Sequence, residues 1–215
     1  TEVTVAAYKL WLDTTPSTGE QPTACTGNTF APDAACMSLA GGGAPTCANC
    51  AQPVVCVDWC DAYAYCAAHE QHLCGKLGGG MNPYDRYDDP GSSEWMNGCS
   101  AAGQFDWASG AAPQSGAQEC TYDGTQLDTS YLVGTRKNCK SPSPGYAQLF
   151  DMSGNVEEWE DSCQKDAESG GSGAACRTRG GSFGSTRDAT RCDAVPASAH
   201  KRSERSPTLG FRCCG

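Results

Sequence analysis

Sixteen cysteines are the residues of this 215-residue chain that carry the most chemistry, and their spacing narrows what that chemistry is. Paired CxxC motifs at zinc spacing are missing; Cys47-Ala-Asn-Cys50 stands alone in a loop with no helix N-terminus to lower a thiol pKa, which favours a structural role over a redox one. An even, widely scattered set fits up to eight disulfides in an oxidising compartment, and predicts an exported protein. The three histidines offer little: His69 and His72 fall three residues apart at the end of a predicted helix, where complementing the helix C-terminus is favoured over sharing a metal, and His200 is remote. Asp85, Asp88, Asp89 and Glu94 gather without the spacing or central glycine of an EF-hand and read as a solvated loop.

The elements that position these residues must be short. Leu, Val and Phe together number 22 and isoleucine is absent, well below the roughly 20% of large aliphatic and Phe residues at which disorder becomes the default. Five Trp and eight Tyr restore apolar area, while 26 Gly and 12 Pro favour loops. The expectation is a thin core held by covalent staples in one domain, residues 1–215. Val5, Tyr8 and Leu12 share a face of a predicted helix near the start. Residues 13–53 read as a stapled loop, and 53–58 as a short strand-like run. Asp58 caps the clearest helix, 59–68, with Trp59, Tyr63 and Cys66 on one face.

The net charge of −10 leaves no basic footprint upstream of residue 177, which argues against nucleic acid as a partner. It also suits Ca²⁺, a hard cation that takes carboxylate and carbonyl oxygens. Arg177, Arg179, Arg187, Arg191, Lys201, Arg202, Arg205 and Arg212 crowd the C-terminal part, either as charge balance or as an anion-facing surface. No apolar run is long enough to span a membrane, so a mature soluble form is expected.

Three stretches in order resemble the formylglycine-generating enzyme (sulfatase-modifying factor) family: Glu2 to Tyr8 with Pro53 to Cys66, then Leu149-Phe-Asp-Met-Ser-Gly-Asn-Val-Glu-Glu-Trp159, then Arg179-Gly-Gly-Ser-Phe183 closing with Leu209-Gly-Phe-Arg-Cys213. The resemblance implies a C-type-lectin-like α+β fold with two short helices, a small antiparallel sheet core and long ordered loops. The chain departs from the family in lacking its opening strand, in residues 73–80, and in most of its cysteines.

Family enzymes oxidise a substrate cysteine with Cu(I) held by two cysteines five residues apart, and soft thiolates suit that ion. The matching positions here are Ser185 and Thr190, so no copper is expected; Cys192 lies two residues beyond, alone. Ser182 matches a position beside that site and has no base near it in sequence to make it a nucleophile. The resemblance further implies a Ca²⁺ site formed by Asp151, the carbonyls of Gly154 and Val156, and Glu158, with Asp123 or Asp128 as members of a second. It also implies a Cys66–Cys213 bridge. Adjacent Cys213 and Cys214 should diverge to separate partners.

The leading reading is a non-catalytic, secreted or surface module, calcium-stabilised, whose stapled frame presents loops to a protein or glycan ligand. Residues 81–118 and 184–206 are the candidate loops. Tyr84, Tyr87, Trp95 and Trp107 are either anchors there or core, with core favoured. Two alternatives stand beside it. One is a copper-dependent oxidase that converts cysteine to formylglycine. The other is a self-assembling structural subunit, in which the absent opening strand leaves a sheet edge for a neighbour.

Overall fold

The structure, a computed structural model, describes all residues except 20, 40–49, 117–118, 124–127, 166–172 and 195–197. In chain order it contains α1 (Val5–Leu12), α2 (Ala34–Leu39), α3 (Trp59–Ala68), β1 (His72–Leu73), α4 (Glu94–Ser100), β2 (Glu157–Cys163), β3 (Ala175–Arg179), β4 (Ala199–Lys201), β5 (Leu209–Phe211) and β6 (Cys213–Cys214). Loops make up most of the rest, as the Gly and Pro content requires.

Local chemistry starts the helices. Thr4 Oγ1 accepts from Ala7 N at the head of α1, whose Val5, Tyr8 and Trp11 turn inward. Asp58 and Asp61 form a reciprocal capping box on α3, each carboxylate accepting from the other residue's backbone N–H. Aromatic rings fill the space that aliphatic residues would take elsewhere. Tyr8 packs on Trp11, Tyr65 and Phe211, and Trp11 on Phe30, with centroids 4.9–6.1 Å apart.

The main sheet has the order β4-β3-β2-β5, antiparallel except that β5 runs parallel to β2 with Glu158 opposite Gly210. A second sheet pairs β1 with β6, His72 opposite Cys214 and Leu73 opposite Cys213. The α+β class is therefore as expected, with two additions: α2 inside the stapled loop, and α4, started by Ser93 Oγ accepting from Met96 N. The run 53–58 is buried and extended but joins no sheet. Pro53 makes only an isolated bridge to Thr4, and Cys56 at φ +62° breaks the pleat. Val3 N donates to Phe211 O, so the start of the chain itself covers that part of the β5 edge.

Seven disulfides join the described residues. Cys66–Cys213 is present, and Cys214 goes instead to Cys74, so the adjacent pair does diverge. These two close loops of 147 and 140 residues and tie the chain end to α3 and β1. In the chain-entropy model each such closure is worth upward of about 4 kcal/mol, and the sum is not additive. Cys47 lies outside the described residues, and with it the CxxC motif. Among the described residues, no helix is long and apolar enough to cross a membrane.

Candidate functional site

The residues singled out by motif fall in two neighbouring places, a charged knot under β2 and a glycine turn after β3. The knot begins at the turn 151–155, where Asp151 and Asn155 take positive φ and Gly154 sits at +94°. A Cβ on Gly154 would stand 2.0 Å from Thr121 O, so only glycine lets these two segments touch. The turn delivers Glu158 to the molecule's interior at 1% exposure. There both its oxygens accept from Arg212, at 2.5 Å each, and Oε2 also accepts from Trp95 Nε1 at 2.8 Å. Arg212 donates further to Phe150 O.

Two more carboxyls adjoin this pair. Glu2, 2% exposed, accepts from Asn155 Nδ2, and Asp151 accepts from Gly134 N at 2.6 Å. Desolvation pushes the Glu2 carboxyl well above its usual range, with the Asp151 charge adding to it, and moves Asp151 in the same direction, against a hydrogen bond from Gly134 N. Among the described residues, Glu2 Oε2 has no donor; its neighbour is the Asp151 carboxyl, and the two bond when one keeps its proton. One guanidinium thus faces three carboxyls.

This arrangement bears on the calcium set. Asp151 and Glu158 do interact across the knot, but Glu158 is already held by Arg212. Among the described residues no group of three or more His, Cys, Asp or Glu is arranged to hold a metal ion. A calcium ion here would depend on the Gly154 and Val156 carbonyls and would have to share Glu158. The surplus of buried carboxyls, one with an unpartnered oxygen, is chemistry that accepts a hard cation. Asp123 and Asp128 are exposed, and residues 124–127 between them are outside the description.

The turn Gly180-Gly-Ser-Phe183 follows β3. A Cβ on Gly181, at φ +65°, would meet Ala189 O at 2.9 Å and Ser185 Cβ and Thr190 Cγ2 at 3.2 Å each. Positions 185 and 190 therefore flank the same glycine. Their hydroxyls are committed locally. Ser185 Oγ accepts from Ser182 N, lies 3.2 Å from Ser182 Oγ, and Thr190 Oγ1 donates to Arg187 O at 2.7 Å. Ser182 Oγ also accepts from Gly184 N. Cys192 is fully buried in a disulfide with Cys99 on α4, and its carbonyl accepts from Arg179.

The other candidates separate. His69 donates to Tyr65 O and stacks on its ring, the helix-end role, while His72 pairs with Glu94 at 2.8 Å. The expectation that Glu94 belongs to the solvated acidic loop is thus corrected: it opens α4 and also accepts from Gly75 N. Asp85, Asp88 and Asp89 do face solvent wholly or in part. His200 lies between Glu157 and Glu204, whose carboxylates raise its pKa from 6.5 to about 9.

Most of the C-terminal arginines serve as internal charge balance. Arg179 lies 3.9 Å from Glu160, Arg191 pairs with Asp193 and Asp106, and Arg205 with Asp58 and Asp61. Arg177 sits between the rings of Tyr84 and Tyr87, and Arg179 between Tyr87 and Trp95. Tyr84, Tyr87 and Trp95 hold the 81–93 segment to β3 instead of standing free as anchors. Nothing in residue spacing signals this ladder, because it forms across some 90 residues of chain.

The model of the sulfatase-modifying factor enzyme 1-like domain matches residues 1–215. Among solved structures the chain is similar to CarF, at 20% identity over 99% of this chain and 82% of that chain, TM-score 0.58. It is also similar to the Treponema denticola variable protein 1, at 18% identity over 98% of this chain and 80% of that chain, TM-score 0.54. At such identities the likeness is one of fold. No curated protein sequence matches.

Proposed function

Because the chain belongs to the family of the sulfatase-modifying factor enzyme 1-like domain, we propose that it keeps the family's scaffold without its oxidase chemistry and acts as a secreted or surface-exposed binding module. One observation carries this reading. The two positions that flank Gly181, where copper-binding cysteines would stand, are Ser185 and Thr190, and nearby Cys192 is committed to Cys99. Hydroxyls do not hold Cu(I) as thiolates do, so the residues present do not fit copper. Seven disulfides support folding in an oxidising compartment.

The test is incubation with Cu(I), oxygen and a cysteine-containing peptide. The reading expects neither tight copper binding nor an aldehyde product; stoichiometric copper with turnover would return the oxidase alternative. Calcium belongs to the same proposal, held by Asp151, the Gly154 and Val156 carbonyls and Glu158. An ion there would let Glu2 and Asp151 ionise without stranding charge. At a hundredfold excess over Kd, calcium would stabilise by about 2.7 kcal/mol, or about 5–10 °C in Tm. Equal Tm values in calcium and in EDTA would remove calcium from the account.

A further inference from the structure

A cleft of about 250 Å³ opens between α1, residues 16–17, 21–22 and 30, and the outer face of α3. Trp11, Phe30 and Tyr63 supply aromatic walls, and Pro16 and Pro22 add two more rings. Among the described residues, none that lines it is charged. Two ties hold the frame: Cys25–Cys60 joins the 21–30 segment to α3, and Tyr8 Oη donates to Phe30 O at 2.8 Å. Such preformed concavity lowers the ordering cost of binding.

A second observation points to a ligand. Four of the five tryptophans donate their indole N–H to the protein: Trp59 to Glu160 O, Trp95 to Glu158, Trp107 to Arg187 O and Trp159 to Val57 O. Trp11 is 6% exposed, yet among the described residues its N–H has no acceptor. It is not one of the sealed unpartnered atoms either, so it stays accessible beside the cleft that its ring lines. An occupant must bring an acceptor to that N–H, carry no charge into the walls, and present flat apolar faces to rings.

We propose that this cleft binds an extended, proline-containing peptide segment of another chain, with Trp11 Nε1 donating to a backbone carbonyl beside a proline ring. The assignment rests on the binding-module reading and names its ligand class. Polyproline II leaves every carbonyl free of internal hydrogen bonds, and proline brings no N–H that would need an acceptor. Aromatic grooves recognise such segments by this pairing of ring faces and one donor. A saccharide fits less well. Beyond the indole, the polar side-chain groups among the described residues of the wall are the Ser17 hydroxyl, the Tyr63 hydroxyl and the Gln21 amide, and that amide already serves Thr18 O and Asn28. Most sugar hydroxyls would be buried unpaired.

The test is NMR titration of the intact, oxidised protein with a blocked, uncharged decaproline peptide, read at the indole N–H signals. The Trp11 signal, identified by its loss in Trp11→Phe, should shift saturably, and that variant should bind about tenfold or more weakly, the loss of about 1.4 kcal/mol. Ala67→Arg alters an exposed helical position at the rim, so it keeps the fold and should abolish binding. No shift at millimolar peptide overturns the proposal. So does a Trp11 shift produced by neutral oligosaccharides such as cellohexaose but not by the peptide. Copper titration of the same sample reads the non-catalytic reading separately, so failure of one is distinguishable from failure of the other.

Discussion

Replacing Arg212 by Met should do more damage than any other single charge removal in the molecule. The side chain keeps its length, so the packing loss is small and the effect is electrostatic. In the native protein the guanidinium, 3% exposed on its side chain, meets both oxygens of Glu158 and faces Glu2 and Asp151 as well. Breaking a buried pair from one side costs about 3–5 kcal/mol, because the partner charge stays buried. For a chain of this size that is a fall of roughly 6–20 °C in Tm. The converse substitution, Glu158→Gln, should cost less, because Glu2 or Asp151 can give up its proton and take over the counter-charge. The penalty of Arg212→Met should also grow as pH rises above the ordinary carboxylate range of about 4. The folded variant must then retain protons that the unfolded chain has released. Urea unfolding without reductant, from pH 4 to 8, measures all three. An Arg212→Met loss below about 1 kcal/mol, or a larger loss in Glu158→Gln, would refute the reasoning.

Gly154→Ala should destabilise by at least about 2 kcal/mol, from positive-φ strain plus the clash with Thr121 O; thermal melts of the oxidised protein check it. His200→Gln should flatten the alkaline limb of stability. The folded pKa of about 9 lies above 6.5, so the stabilisation from Glu157 and Glu204 is complete below pH 6.5 and lost through pH 9, readable in unfolding curves across that window. Arg177→Met should release the 81–93 segment from β3 at a cost of about 1–2 kcal/mol, seen as faster amide exchange confined to that segment and its neighbours.

What was legible in the sequence was chemistry that acts over a few residues or that a family motif carries. Asp58 announces α3 because a cap works at three residues' range. The glycines at 154 and 181 were in motifs, and the structure supplies their reason, the close approach of Thr121 and Ala189. Long-range pairing was not legible. The family motif offers Glu158 as a calcium ligand but carries no sign of its pairing with Arg212, 54 residues away, and arginine spacing does not reveal which carboxylate each will meet. The helix α4 was missed because Ser93 and Glu94, its cap and first turn, sit next to an acidic run and look like more of the same loop. The aromatic ladder from Tyr84 to Trp95 shares this cause.

The central claim is that the cysteines near the Gly180-Gly-Ser-Phe183 turn are staples and not a copper site. Intact mass after thiol alkylation, under denaturing conditions and through stepped reductant, with peptide mapping at each step, tests it directly. The account predicts that Cys192 is recovered joined to Cys99 and that this bond resists mild reductant together with the others. Recovery of Cys192 as a thiol, or in a bond with another cysteine that opens well before the rest, would contradict it.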